Sequence, residues 1–141
     1  GTLVTGEDSS LGGGEFIYIP GVANAVVGSL VSYNPAVGTT TLSANTANQN
    51  IPVAVLMSAN VSASSYGWAQ VYGVAVIKKT AVRVSPSVAL YQSATTGRVM
   101  STAASGKQLL NARSVNAATV LSATSTINVL IDRPFLQGAV V

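Results

Sequence analysis

The chain has 141 residues, a length that suits one domain with a hydrophobic core, and 48% of its residues are apolar. It has no His and no Cys, which excludes disulfides, thiolate chemistry, His-based catalysis and the usual zinc sites. Charged residues make up only 8%, and the seven basic residues behind the net charge of +3 are spread along the chain.

The first fourteen residues are rich in Gly, Ser and Thr and end in Gly12-Gly13-Gly14. Such a segment has little drive to fold, so residues 1–14 are predicted to form a flexible or extended N-terminal arm. The opening residues Gly1-Thr2-Leu3-Val4 lack a basic segment followed by an apolar one, so no signal peptide is predicted.

Strand patterns dominate the rest of the chain, because Val is abundant and short apolar runs recur between turn residues. Strands are predicted at residues 15–19, 29–33, 39–42, 53–57, 66–79, 81–84, 88–91, 98–101, 109–115 and 126–132. The Ala-rich segment 114–125 lacks a helical stripe, so at most one short helix is expected there. The regular spacing of short strands predicts an all-β, single-domain fold: a β-sandwich, a jelly roll or a small barrel.

The strongest strand signal covers residues 66–79. Both of its alternating faces are almost entirely apolar, which predicts a central strand covered on both sides, with Trp68 and Tyr72 in the core. Gly73 is expected to mark a bulge or bend in this strand. Residues 126–132 alternate between apolar and polar side chains, which predicts a strand with one buried face.

The basic residues form no patch, since Lys78-Lys79 is the one adjacent pair and Arg83 follows it. Nucleic-acid binding needs clustered Lys and Arg, usually with aromatic residues for stacking, so no nucleic-acid partner is predicted. We interpret the pair as a solvated strand end, with contact to an acidic partner surface as the alternative. No run of about 18 continuous apolar residues occurs, so no membrane partner is predicted either.

Four acidic residues limit carboxylate chemistry: Glu7, Asp8, Glu15 and Asp132. Glu15 and Asp132 are the pair expected on ordered structure, and two carboxylates can in principle hydrolyse a glycoside. Isolated carboxylates are more typical of strand ends. We therefore predict no catalytic, cofactor-binding or metal-ligating residues, no cofactor and no enzymatic activity.

Two short motifs do not alter that prediction. The segment Ser105-Gly106-Lys107-Gln108 departs from a phosphate-binding loop, which needs Gly at position 101 and Ser or Thr at position 108. The segment Asn60-Val61-Ser62 fits a glycosylation acceptor, a pattern that is common by chance.

The scarcity of charge also favours a particular kind of surface. A soluble monomer usually carries mixed charges, whereas this chain must build its surface from neutral Ser, Thr and Asn. Edge strands without charged residues pair readily with other chains. The composition therefore predicts a protein whose surface is covered by other protein.

Six motifs then occur in a recognisable order: VSYNP at 31–35, GTTT at 38–41, YGWAQVYG at 66–73, LY at 90–91 with TG at 96–97, LNAR at 110–113 and RPFLQG at 133–138. Their order and spacing, from about residue 16 to 138, resemble the head decoration (cement) proteins of tailed bacteriophages, particularly short-tailed ones.

The resemblance implies a single-domain antiparallel β-sandwich, jelly-roll-like, over residues 15–141. It also implies a structural virion protein on the outer surface of the capsid, made in the bacterial host cytoplasm. Its partners would be a major capsid protein of HK97-like fold and further copies of itself, as a dimer or trimer that bridges capsomers. The family supplies no catalytic residues to carry over.

Two other functions compete with this one. A phage tail or fibre domain that binds a host receptor or glycan would present an exposed aromatic cluster. A carboxylate-dependent hydrolase would use Glu15 or Asp132.

Overall fold

The described residues, 2–8, 10–59 and 61–139 of a computed structural model, form ten β-strands and no helix. The strands are β1 (Leu3–Asp8), β2 (Gly12–Pro20), β3 (Leu30–Asn34), β4 (Thr39–Leu42), β5 (Val53–Leu56), β6 (Tyr66–Lys78), β7 (Leu90–Gln92), β8 (Val99–Met100), β9 (Gln108–Ser114) and β10 (Thr126–Leu136).

These strands form one antiparallel sheet that curls as a half-barrel. The pairing runs β4-β3-β5-β6-β10-β9-β7-β8, and the β1–β2 hairpin joins it through the pairing of β2 with β6. The predicted all-β class is confirmed, and one continuous sheet fits a single domain. A jelly-roll sandwich is not confirmed.

The N-terminal segment pairs with its neighbour. Residue Leu3 lies opposite Ile17, Glu7 lies opposite Gly13, and residues 2 to 7 are exposed. The segment predicted as an arm, residues 1–14, thus supplies β1 and the first part of β2, and a separate arm is not confirmed.

Most of the other predicted strands occur with small shifts at their ends, and β4 has the predicted bounds. The strand predicted at residues 81–84 is absent from the described structure, where only Val84 makes an isolated bridge, to Val120. The Val82 amide turns back to donate to the Thr80 carbonyl oxygen at 2.7 Å, which prevents a strand at this point. The segment 114–125 holds turns and bends with no helix.

Two apolar clusters make up the core. The larger contains side chains from β3, β5, β6, β7, β9 and β10, including Leu30, Ile77 and Ile131. The smaller lies where β2 and the following loop cover β3 and β5, with Ile19 and Leu56 among its members. Every residue of β5 is buried, because its alternating side chains enter the two clusters in turn.

The strand β6 differs from its prediction. Its odd-numbered residues from 69 to 77 are buried, but Trp68, Tyr72 and Val76 are 38%, 42% and 41% exposed. The prediction that both faces are covered within the chain, with Trp68 and Tyr72 in the core, is therefore wrong. No layer of the described chain packs over these three side chains closely enough to bury them.

The predicted irregularity occurs next to Gly73: the extra residue of β6 is Val71, and Gly73 itself has a positive φ of 99°. The pairing of β2 with β6 shifts register between Glu15, opposite Tyr72, and Phe16, opposite Gln70, so β6 carries one extra residue. The buried Gln70 amide donates to the Tyr72 carbonyl oxygen at 3.0 Å and to that of Val74 at 3.2 Å. The side chain thus satisfies backbone acceptors that the bulge would otherwise leave without partners.

Candidate interaction surface

Three exposed aromatic side chains lie together on the outside of β2 and β6. Tyr18 is opposite Trp68 in the strand pairing, and Tyr66 is opposite Pro20. The Tyr18 ring centroid lies 5.0 Å from that of Trp68 and 5.5 Å from that of Tyr66. Their exposed fractions are 40% for Tyr18, 54% for Tyr66 and 38% for Trp68. The rings therefore order one another and still present much of their area to a partner.

Strand periodicity accounts for this position. Successive side chains of a strand point to opposite faces, and Ala69 and Val71 of β6 enter the smaller core cluster. Trp68, which lies beside Ala69, therefore points to the opposite face together with Tyr18, its partner on β2, and neither side chain belongs to a core cluster.

The cluster continues towards β1 as an apolar surface. Trp68, Phe16, Met57 and Val4 line a shallow pocket of about 300 Å³ together with Thr5 and Gly6. We call Val4, Phe16, Tyr18, Met57, Tyr66 and Trp68 the aromatic face. None of its members is charged, and the sequence contains no charged residue from 16 to 77.

A cleft of about 380 Å³ lies beside the aromatic face. We call it the tyrosine cleft; its lining residues are Ile17, Tyr18, Ile19, Pro20, Tyr33, Asn34, Pro35, Gly38, Thr39, Thr40 and Tyr66. Tyr33 and Thr40 are opposite one another in the β3–β4 pairing. Burial raises the pKa of the Tyr33 phenol, and the positive charge of Arg133 opposes that shift. The phenol is therefore neutral at pH 7 and can donate a hydrogen bond.

The two carboxylates singled out from the sequence meet around one arginine. The Arg133 guanidinium makes an ion pair with Glu15 and a second, at 3.2 Å, with Asp132. The Arg133 and Asp132 side chains are exposed, and Glu15 is partly exposed. Both carboxylates are thus engaged in neutralising a cation. Glu15 lies within β2 and Asp132 within β10, so the interpretation as strand-end charges is wrong in position.

This cluster should matter little for stability. We expect Glu15→Gln to lower the free energy of unfolding by about 1 kcal/mol or less, because exposed ion pairs are screened and entropically costly. Urea unfolding at low and high salt measures the effect, which should shrink as salt rises. Asp132→Asn is the matched variant. A loss of several kcal/mol from either variant would contradict the assignment.

The two lysines of the basic pair, Lys78 and Lys79, have different environments in the fold. Lys78 is partly exposed, but Lys79 is only 1% exposed, so the interpretation as a solvated strand end is wrong for Lys79. Its ammonium donates to the carbonyl oxygens of Val82 at 2.7 Å and Thr80 at 3.2 Å. Burial lowers the pKa of this ammonium.

The remaining motifs lie in turns and strands. The Gly106 segment is a turn that leads into the strand β9, whereas a phosphate-binding loop leads into a helix. Its Lys107 ammonium donates to the Asn45 side-chain oxygen at 2.6 Å. Asn60, the predicted glycosylation acceptor, lies outside the described residues, and so does the Asp8 side chain.

Comparison with known proteins supplies no relative, since no family model, curated protein or solved structure matches the chain. Within the described residues there is no helix that would reach across a bilayer. The same residues contain no group of three or more carboxylates that would hold a metal ion.

The aromatic face is the feature that sequence reasoning missed. Its signal was present: in residues 66–69, the large aromatic side chains of Tyr66 and Trp68 alternate with the small residues Gly67 and Ala69. Smaller residues on the alternate positions are the ones that fit the crowded inner side, so the aromatic residues point outward.

Proposed function

We propose that this chain is a structural virion protein that binds the outer surface of an assembled phage capsid and stabilises it by bridging capsomers. The observation that carries the proposal is the aromatic face, an uncharged surface on which the Tyr18 ring contacts two other exposed rings, Tyr66 and Trp68. Contiguous exposed apolar patches mark interaction sites, and Tyr and Trp are enriched among the residues that dominate binding energy.

Binding of this kind stabilises a shell by mass action. A protein that binds the assembled shell and not its separated subunits shifts the equilibrium towards assembly. Many copies with modest affinity then act together, because each shell presents the site repeatedly. This mechanism needs no catalytic group, and we propose that the chain is not an enzyme.

Self-association belongs to the same proposal. Within the described residues, β1 pairs with β2 alone, and its first four residues, Leu3 to Gly6, are exposed and uncharged, whereas Glu7 and Asp8 place negative charge at its other end. An unpaired strand edge of this kind accepts a strand from another chain, which supports a dimer or trimer or strand addition to the shell. A jelly-roll-like sandwich, the finer fold of the resemblance, stays a prediction.

The test is occupancy on capsids of HK97-like fold. We expect Trp68→Ala combined with Tyr66→Ala to lower the affinity for the shell at least ten-fold, because both rings are removed from the centre of the aromatic face. Cosedimentation with purified capsids and electron microscopy of the particles measure occupancy. Tyr72→Ala, an exposed aromatic residue of β6 outside the aromatic face, is the control and should bind normally. Equal occupancy for all variants would contradict the proposal.

A second candidate is a phage tail or fibre domain that binds a host receptor or glycan. The exposed aromatic cluster beside the tyrosine cleft favours it, since such a domain needs a surface of this kind. Electron microscopy of intact particles separates the two candidates. Density at every capsomer would support the decoration protein, and density at the tail vertex alone would support the second candidate.

A further inference from the structure

We infer that the tyrosine cleft is a binding site for a neutral carbohydrate, with a pyranose ring as the recognised unit. The inference rests on the second candidate function and assigns its site and ligand class. It depends on the volume of the cleft, its aromatic wall, its polar residues and its lack of charge.

The volume suits a small ligand. At about 380 Å³, the tyrosine cleft lies within the range of small-molecule sites, about 300–1,000 Å³. The cleft is the junction of three chain segments: β2, the start of β6 and the β3–β4 hairpin. Its walls belong to paired strands, which hold the lining side chains in place before a ligand arrives.

One wall is aromatic. Tyr18 and Tyr66 stack on each other with centroids 5.5 Å apart, and both line the cleft. A pyranose ring has an apolar C–H face that packs against an aromatic ring, while its hydroxyl groups remain free for hydrogen bonds. The exposed area on these two rings therefore suits a sugar ring laid against the wall.

The polar side of the cleft offers neutral hydrogen-bonding groups to a sugar. Tyr33 supplies a phenol, and the exposed side chains of Asn34 and Thr39 add an amide and a hydroxyl. These groups can donate to and accept from sugar hydroxyls without any charge.

Charge decides between ligand classes. None of the lining residues is charged, and the nearby Arg133 is already paired with Glu15 and Asp132. Phosphates, sulfates and acidic sugars would gain no ion pair in the cleft. A proline-rich peptide would pack on the tyrosines, but proline has no backbone N–H to donate to the neutral oxygens of Tyr33 and Thr39. A neutral sugar fits both the aromatic wall and these neutral polar groups.

A glycan array that displays neutral and sialylated oligosaccharides tests the inference with the intact chain. The expected result is binding to neutral oligosaccharides, with no gain from sialic acid, and titration calorimetry then gives the affinity for the best neutral one. We expect Tyr66→Ala and Tyr33→Phe each to weaken that affinity about five- to ten-fold. The control Tyr72→Ala changes an exposed aromatic residue outside the cleft and should bind normally.

Tyr33→Phe removes the phenol hydroxyl and keeps the ring, and an unchanged urea midpoint shows that it folds. Four results would each overturn the inference. They are the absence of binding to neutral glycans, a preference for sialylated glycans, binding of a proline-rich peptide in place of glycans, and a glycan affinity that neither variant lowers. Shell occupancy is measured separately. Full occupancy at every capsomer without glycan binding would contradict the carbohydrate site and still support the function as a decoration protein.

Discussion

Gly73→Ala is expected to lower the free energy of unfolding by about 2–5 kcal/mol, the largest effect of any single substitution proposed for this chain. Gly73 has a φ of 99°, a backbone conformation that side chains with a Cβ rarely adopt. An added Cβ would lie 2.5 Å from the Gly13 carbonyl oxygen and 3.2 Å from the Gly14 Cα. Both contacts are with backbone, so relief requires β2 to move away from β6.

A second glycine separates the two parts of this cost. Gly12 has a φ of 83°, but an added Cβ there would meet no atom within 4 Å. Gly12→Ala should therefore cost only the conformational strain, about 1–2 kcal/mol. Urea unfolding of both variants gives the difference. If both variants lose the same free energy of unfolding, the close approach of β2 to β6 at the bulge does not contribute to the cost of Gly73→Ala.

The bulge beside Gly73 also bears on function, because β2 carries Tyr18 and β6 carries Tyr66 and Trp68. If the two strands separate near the bulge, Tyr18 no longer lies opposite Trp68 and the aromatic face is disrupted. Hydrogen exchange should then show faster exchange at β2 amides in Gly73→Ala than in Gly12→Ala.

Local sequence patterns predicted the strands well where turn residues bound them. Residues 39–42 form β4 as predicted, since the turn after Asn34-Pro35 leaves one register for the returning strand. The alternation at residues 126–132 gave the correct buried face, with Ile127, Val129 and Ile131 in the core. These features depend on neighbours that are close in sequence.

Features that depend on distant neighbours were missed. β1 has a weak strand signal of its own and exists through pairing with β2. The apolar residues on both faces of β6 indicated two covering layers, but hydrophobicity does not tell whether the second layer belongs to the same chain. In the described chain no second layer covers Trp68, and the exposed side chains of Trp68, Tyr66 and Tyr18 form half of the aromatic face.

The tyrosine cleft could not be predicted for a related reason. Tyr33 and Thr40 come from one hairpin, whereas Tyr18 and Tyr66 come from strands that only the sheet topology brings near it. The ion pair of Glu15 with Arg133 likewise joins residues 118 positions apart. Nothing in the spacing of these residues indicates their contact.

Lys79 is the most unusual charged group of the described core. It is the largest fully buried side chain, its ammonium donates to two backbone carbonyl oxygens, and neither described ion pair involves it. Burial removes the ammonium from water, and this loss of hydration lowers its pKa in the folded state. The unfolded chain exposes the same group to water, where its pKa is about 10.4.

The sign of the resulting pH dependence follows from proton linkage. Between the lowered folded pKa and the unfolded value, the unfolded chain binds more protons at Lys79 than the folded chain does, so the contribution of Lys79 to stability rises with pH. Below the folded pKa the buried charge destabilises fully. We therefore expect the free energy of unfolding of the wild type, minus that of Lys79→Met, to increase as pH rises towards the unfolded pKa.

Urea unfolding from pH 7 to pH 9.5 measures this difference, below the range in which tyrosines titrate, about pH 10. Met keeps an unbranched chain of similar length, so packing changes little while the charge is removed. Lys78→Met removes the neighbouring positive charge from a partly exposed side chain, and it supplies the baseline for the slope. A difference for Lys79→Met that stays level or falls with pH would show that the two carbonyl contacts at Val82 and Thr80 compensate for the lost hydration of the ammonium.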